Sequence, residues 1–346
     1  MTLDIAFTRF TSPDPLSKRY DLDEYGRVAR KPAASMTTGR AVKMTLDFAT
    51  FGDCLDKAGP KVAFCYGLHD AEKYGDPVKI ATGKTAKPDK NILARTREYF
   101  DYRPVPGIVM IDHDPAEDGQ TFTPGELSIV LSDIHPAFKE SACWARGSVS
   151  AGVHKAGEPV KEGKGFHLYF AVPDASDIPR YGKVLFQRLW LNGHGRIALS
   201  SAGSCLVRGP IDESVFNGER LDFVGEPVVG DGLELTKPEP VFVPGGWLDT
   251  RTLPDLTDEE KTRFDWLVAK AKDAVYAPAQ DKRREWGKGK IREMVERGVP
   301  ERQAKAQVYR LTNNMGHDLY GNWLLDFNAM GAATVGDVLA NPARYE

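Results

Sequence analysis

Gly107-Ile108-Val109-Met110-Ile111-Asp112-His113-Asp114 sets an apolar run directly before two carboxylates one residue apart. Pro104 and Pro106 precede it and Pro115 follows, so the run is short and bounded. Such a run reads as a strand buried on both faces. Side chains alternate along a strand, which puts Asp112 and Asp114 on one side and His113 on the other. Two carboxylates side by side repel each other. A divalent cation with oxygen ligands relieves that repulsion. Two solvated acids at a strand end would look the same in sequence.

The chain around this stretch has 346 residues, 41% hydrophobic and 27% charged, with room for two domains. A net charge of −3 excludes a polycation, so any nucleic-acid binding must rely on a local basic surface. No apolar run approaches the ~20 residues of a membrane span, and no charged-then-apolar leader opens the chain. Cys54, Cys65, Cys143 and Cys205 are widely spaced, which argues against a zinc knuckle or a disulfide framework. Reduced thiols in a cytoplasmic protein are the expectation.

Upstream, 61–67 reads as a core strand, and Asp89 is placed to cap a helix running to Phe100. Gly83-Lys84-Thr85 is no phosphate loop, because Val78 stands where that motif needs glycine. Downstream, Thr123-Pro124-Gly125-Glu126 opens a helix that ends before Pro136. Strands are expected at 143–150, 165–172, 196–200 and 204–211, with a helix from Ser176 through Trp190. Alternating strands and helices with hairpin-like pairs predict an α+β domain over 1–250. The Pro-rich stretch 233–246 reads as a linker to a helical domain over 251–346. Helices there, at 281–297 and 300–312, carry Lys282, Arg283, Arg284, Lys288, Lys290, Arg292, Arg297, Arg302, Lys305 and Arg310. They are either a solvated face or a surface for a nucleic-acid backbone.

The order Ile111-Asp112-His113-Asp114, Ser148-Val149-Ser150, Gly165-Phe166-His167-Leu168-Tyr169-Phe170 and Ile211-Asp212 resembles the archaeo-eukaryotic primase superfamily. The resemblance is in particular to the primase-polymerases of plasmids, phages and integrated elements. Val207 to Phe216 with Glu219-Arg220-Leu221 resembles that family's third motif and its trailing arginine; 177–195 and Pro15-Leu16-Ser17-Lys18-Arg19 are also similar to the mobile-element members. The likeness covers roughly residues 10–230. One departure stands out: a Gly/Lys/Glu-rich insertion separates Ser150 from His167, and His154 lies inside it, in a loop by its sequence. His167, which begins an apolar strand, is favoured over His154.

The resemblance implies a primase-type catalytic core with an RRM-like sheet. It also implies Mg²⁺ or Mn²⁺, two ions, held by Asp112, Asp114 and Asp212. Two ions can activate a primer 3′-hydroxyl and stabilise the leaving pyrophosphate, and holding them takes about three carboxylates. By its residues alone, Asp212 is a turn aspartate after Pro210; the likeness makes it the third ligand. Ser148, Ser150, His167 and Arg220 are the expected contacts to an NTP or dNTP. Arg220 would equally suit a surface ion pair to a nearby Glu. Asp222, ten residues past Asp212, is expected outside the site. The implied activity is primer synthesis on a single-stranded DNA template in the replication of a mobile element or phage. A replicative helicase is the implied partner, with 333–342 as the joining region to a longer protein. The rival readings are a non-catalytic origin or single-strand-binding module and a rolling-circle nuclease. The latter wants His-x-His, which His113 does not supply.

Overall fold

The computed structural model describes residues 2–31, 36–115, 121–148, 151–160, 165–236 and 239–313, and two short strands, Leu324–Phe327 and Gly331–Thr334. The chain is mixed α+β and divides into two compact units, 1–196 with 208–268 and 197–207 with 269–346. Position 250 therefore falls inside the first unit. The start of the helix Asp258–Ala274 is tied to it, since Arg188 pairs with Glu260 at 3.0 Å and Trp190 packs edge-on against Phe264.

The two largest sheets among the described residues of the first unit frame the site. One contains β1 (Asp4–Thr11), β2 (Thr38–Asp47), β3 (Val62–Cys65), β4 (Val78–Ala81) and β5 (Ile92–Ala94), in the order β3-β1-β2-β4-β5. The other contains β6 (Gly107–His113), β7 (Cys143–Gly147), β8 (Phe166–Val172) and β9 (Val241–Val243), in the order β9-β7-β8-β6, antiparallel throughout. The sheets meet through aromatic side chains. Phe7, Phe51 and Phe64 are buried, and Phe51 stands edge-on to Tyr169 with ring centres 5.4 Å apart. Such pairs add roughly 1 kcal/mol each beyond the area they bury. Gly52 lets the helix Phe51–Asp56 pass Trp144: a Cβ there would lie 2.3 Å from the indole.

The opposite face of the second sheet carries α1 (Pro124–Ile134) and α2 (Ile178–Leu191); Phe138 packs on both Phe170 and Tyr181. As expected, β6 is apolar on both faces, with Ile108, Val109 and Ile111 wholly buried. Thr123 and Glu126 form the expected capping box: Glu126 N donates to Thr123 Oγ1 at 3.3 Å, and Thr123 N to Glu126 Oε2 at 2.8 Å. Thr123→Ala is therefore expected to cost about 1 kcal/mol in a urea titration of the first unit. A change below a few tenths would mean that the cap is redundant.

Four local expectations fail. Residues 89–100 are not a helix: Asn91 turns the chain in the left-handed region (φ 56°), and Ile92–Ala94 pairs parallel to β4 with Leu93 buried. Pairing with a distant strand overrides a spacing that also fits a helix face. Ser176 is not the helix cap; Asp174 caps the preceding turn and holds Ser176 N at 3.0 Å. The 233–246 stretch is woven into sheets rather than free. Val241–Val243 pairs with β7, and Leu235 with Val153. His154 likewise lies in a strand, Val153–Lys155.

The second unit holds the hairpin of Arg196–Leu199 and Cys205–Arg208 and the helices α3 (Tyr276–Glu296, longer than expected) and α4 (Glu301–Asn313). Gly203, with φ 78°, closes the hairpin against α3; a Cβ there would meet Ala279 O at 2.4 Å. Among the described residues no helix is long and apolar enough to cross a membrane.

Candidate active site

The register of the second sheet places His167 of β8 between Asp112 of β6 and Arg146 of β7. Side chains of cross-strand partners share a face, and here it is the face that carries Tyr169. His167 Nε2 stands 3.3 Å from Asp112 Oδ1. On its other edge Nδ1 is 3.0 Å from the Tyr169 hydroxyl and 3.3 Å from Asp222 Oδ1. Tyr169 gives its own proton to Asp222 Oδ2 at 2.9 Å, so its oxygen accepts from Nδ1–H. Burial alone would hold His167 neutral. The Tyr169 oxygen and the Asp112 and Asp222 carboxylates outweigh it and raise the pKa well above 6.5. The ring thus lies between two carboxylates that favour its charged form. Both ring nitrogens face these protein partners.

Asp222 corrects an expectation. The sequence sets it outside the site, yet it is buried beside His167 at the centre of this network. Tyr66 donates to its Oδ2 at 2.6 Å, and its backbone pairs with Phe64 in both directions at 2.8 and 2.9 Å. Burial would raise its carboxyl, but His167, the Tyr66 hydroxyl and Arg146 hold it below the ordinary carboxylate value.

The third acidic residue arrives through His113. Pointing away from its neighbours, His113 is wholly buried and gives Nδ1–H to Pro210 O at 2.6 Å, while Nε2 accepts Phe122 N–H at 3.2 Å. The segment after Pro210 then lies along the edge of β6, where Asp212 N donates to Asp112 O at 3.0 Å. The Asp212 carboxylate turns onto the following turn: Oδ1 accepts Ser214 N at 3.0 Å and Oδ2 accepts Ser214 Oγ at 2.8 Å.

Asp114 opens to solvent just past the strand. Crowding around its carboxyl raises its pKa, and so do Asp112 and Asp212; Lys18 and His167 act in the opposite sense. Asp112 and Asp212 thus both lie close enough to bear on the Asp114 carboxyl. A Cβ on Gly165 would lie 3.0 Å from both Asp114 Oδ1 and Ser148 Oγ, so Ser148 joins the same corner, its N bonded to Gly165 O at 2.8 Å. Ser150 lies outside the described residues. Arg220 is exposed beside half-buried Arg95; no described hydrogen bond or ion pair joins its side chain to the carboxylates. His154 bonds Gly152 O at 3.0 Å in a separate three-stranded sheet.

Mg²⁺ and Mn²⁺ take oxygen donors, and the carboxylates of Asp112, Asp114 and Asp212 are of that chemistry. Asp112 Oδ1 is shut off from solvent beside His167, which leaves its other oxygen as the one that could face a cation. The fit needs Asp212 to leave Ser214: among the described residues no three acidic, His or Cys groups already stand as a coordinating cluster. The residues missed in sequence are Asp222, Tyr66, Tyr169 and His113. Only His113 carried a signal, since strand alternation set it apart from the two acids. Comparison of the chain with protein-family models, curated proteins and solved structures gives no match.

Proposed function

We propose that the chain is a DNA-dependent primase-polymerase, a nucleotidyltransferase that joins NTPs or dNTPs into a primer on single-stranded DNA. The observation that carries the reading is the meeting of Asp112, Asp114 and Asp212. They come from two segments about a hundred residues apart in sequence, tied by the Asp212 N to Asp112 O bond. The second sheet supports it. Its strands β6, β7 and β8, with α1 after β6, α2 after β8 and β8 between β6 and β7, follow the order expected of an RRM-like sheet apart from the short strands Val153–Lys155 and Glu158–Pro159 inserted between β7 and β8, and the Asp212 segment lies at the free edge of β6. In this reading Asp112, Asp114 and Asp212 hold Mg²⁺ or Mn²⁺, whose charge, when bound, stabilises the leaving pyrophosphate. Ser148 offers a hydroxyl to the nucleotide at the Asp114 corner, and Lys18 offers a cation to its phosphates.

Template is assigned to the second unit. Between α3 and α4 runs a groove of about 740 Å³ lined by Arg283, Arg284, Lys288, Lys305 and the exposed Tyr309. Arg284, Lys288 and Lys305 each also pair with an acid on their own helix, pairs worth little in water and readily exchanged for phosphate. Replacing these three by serine is expected to weaken single-stranded DNA binding about tenfold and to flatten its log–log salt slope by about 2. Anisotropy titrations at several salt concentrations read both, and an unchanged slope would remove the groove from the template path. A replicative helicase, in the same chain or separate, fits as partner; residues 335–342 of the expected joining region lie outside the described residues.

The deciding assay is incorporation of labelled NTPs or dNTPs on single-stranded DNA with Mg²⁺ or Mn²⁺. Template binding without incorporation by the intact protein would leave the non-catalytic binding module as the reading.

A further inference from the structure

Asp222 is a charged residue in the middle of an aromatic core, and such a placement is costly unless the charge is matched. Its hydrogen bonds orient it through one oxygen. The hydroxyls of Tyr66 and Tyr169 both converge on Oδ2, which leaves Oδ1 turned to His167 Nδ1. The backbone of Asp222 belongs to the first sheet through Phe64, while His167 and Asp112 belong to the second. The carboxylate therefore spans the two sheets and sets the rotation of the imidazole. The imidazole in turn faces Asp112 Oδ1, an atom shut off from solvent, so the exposed 18% of the Asp112 side chain lies in its remaining atoms.

We propose that Asp222, oriented by Tyr66 and Tyr169, is a positioning residue that holds His167 against one oxygen of Asp112 and so keeps the other presented to a divalent cation. The proposal rests on reading Asp112, Asp114 and Asp212 as the cation site. Without the Asp222 carboxylate the imidazole loses the partner that sets its rotation, so Asp112 Oδ1 is no longer held and its other oxygen is no longer presented in one direction. Outer partners of this kind commonly change metal affinity without touching the metal.

The test is Mn²⁺ affinity of the intact protein, read from the electron paramagnetic resonance of free Mn²⁺, beside incorporation and thermal melting. Asp222→Asn keeps the volume and can still accept from both tyrosines; it is expected to weaken Mn²⁺ binding about tenfold or more. Tyr66→Phe keeps the charge but loosens its orientation, and is expected to weaken binding by a smaller factor. His154→Ala should bind as wild type. If Asp222→Asn melts earlier but binds Mn²⁺ as wild type, Asp222 only supports the fold and the proposal is overturned. Should Asp222→Asn fail to fold, Tyr66→Phe decides, with wild-type affinity overturning the idea. A wild type that binds Mn²⁺ but incorporates nothing overturns the proposed function alone, and the Mn²⁺ comparison still judges Asp222. A wild type that binds no Mn²⁺ overturns both.

Discussion

Asp112→Asn is expected to abolish nucleotide incorporation, by about 10³-fold or more, in a protein that still folds. The fold survives because β6 is held by its backbone ladder to β8 and by Ile108, Val109 and Ile111 in the core. Asparagine has the volume of aspartate and can still face His167. What disappears is the charge closest to both Asp114 and the Asp212 backbone, the one around which a cation would be held. Removing it also relieves Asp114 of a like-charged neighbour, so the Asp114 pKa should fall toward its ordinary value. Primer extension and circular-dichroism melting of the same preparation check both halves. Near-normal incorporation by a folded variant would sink the assignment of the site.

His113→Ala should cost the first unit about 3 kcal/mol, from a cavity in the core and two stranded backbone partners. It removes a wholly buried ring that packs on Phe166 and Phe122 with centres 4.9 and 5.7 Å away. It also leaves Pro210 O and Phe122 N without the bonds they make in the structure. The second consequence is functional, because Pro210 is two residues from Asp212. Freed of the imidazole, that segment loses its anchor to the edge of β6, and incorporation should fall even at temperatures where the variant is folded. Urea titration with incorporation at low temperature separates the two effects. A variant of wild-type stability would mean that the loop is held elsewhere.

The elements that could be read from sequence are those whose signal is local. The apolar run of β6, the Thr123 capping box and the strand of His167 depend on residues within a few positions of one another. Strand alternation alone put Asp112 and Asp114 together and His113 apart. The Asp89–Phe100 helix failed because Leu93 is paid for by burial against a strand that no nearby residue announces. The site divides the same way. Its three acids were named from motif order, and the tertiary structure brings them together; yet it turns the Asp212 carboxylate onto Ser214 and leaves Arg220 at the surface. Asp222 shows the difference most sharply. In sequence it matches Asp212, an acid beside apolar residues. Its setting comes from Tyr66, 156 positions away, and Tyr169, 53 away. Contacts of that span follow from how two sheets stack, which no local period encodes. The chain by itself determined which residues could form strands and which acids stood at their ends; only the packing of sheet on sheet decided which acid was buried against His167 and which remained open to solvent.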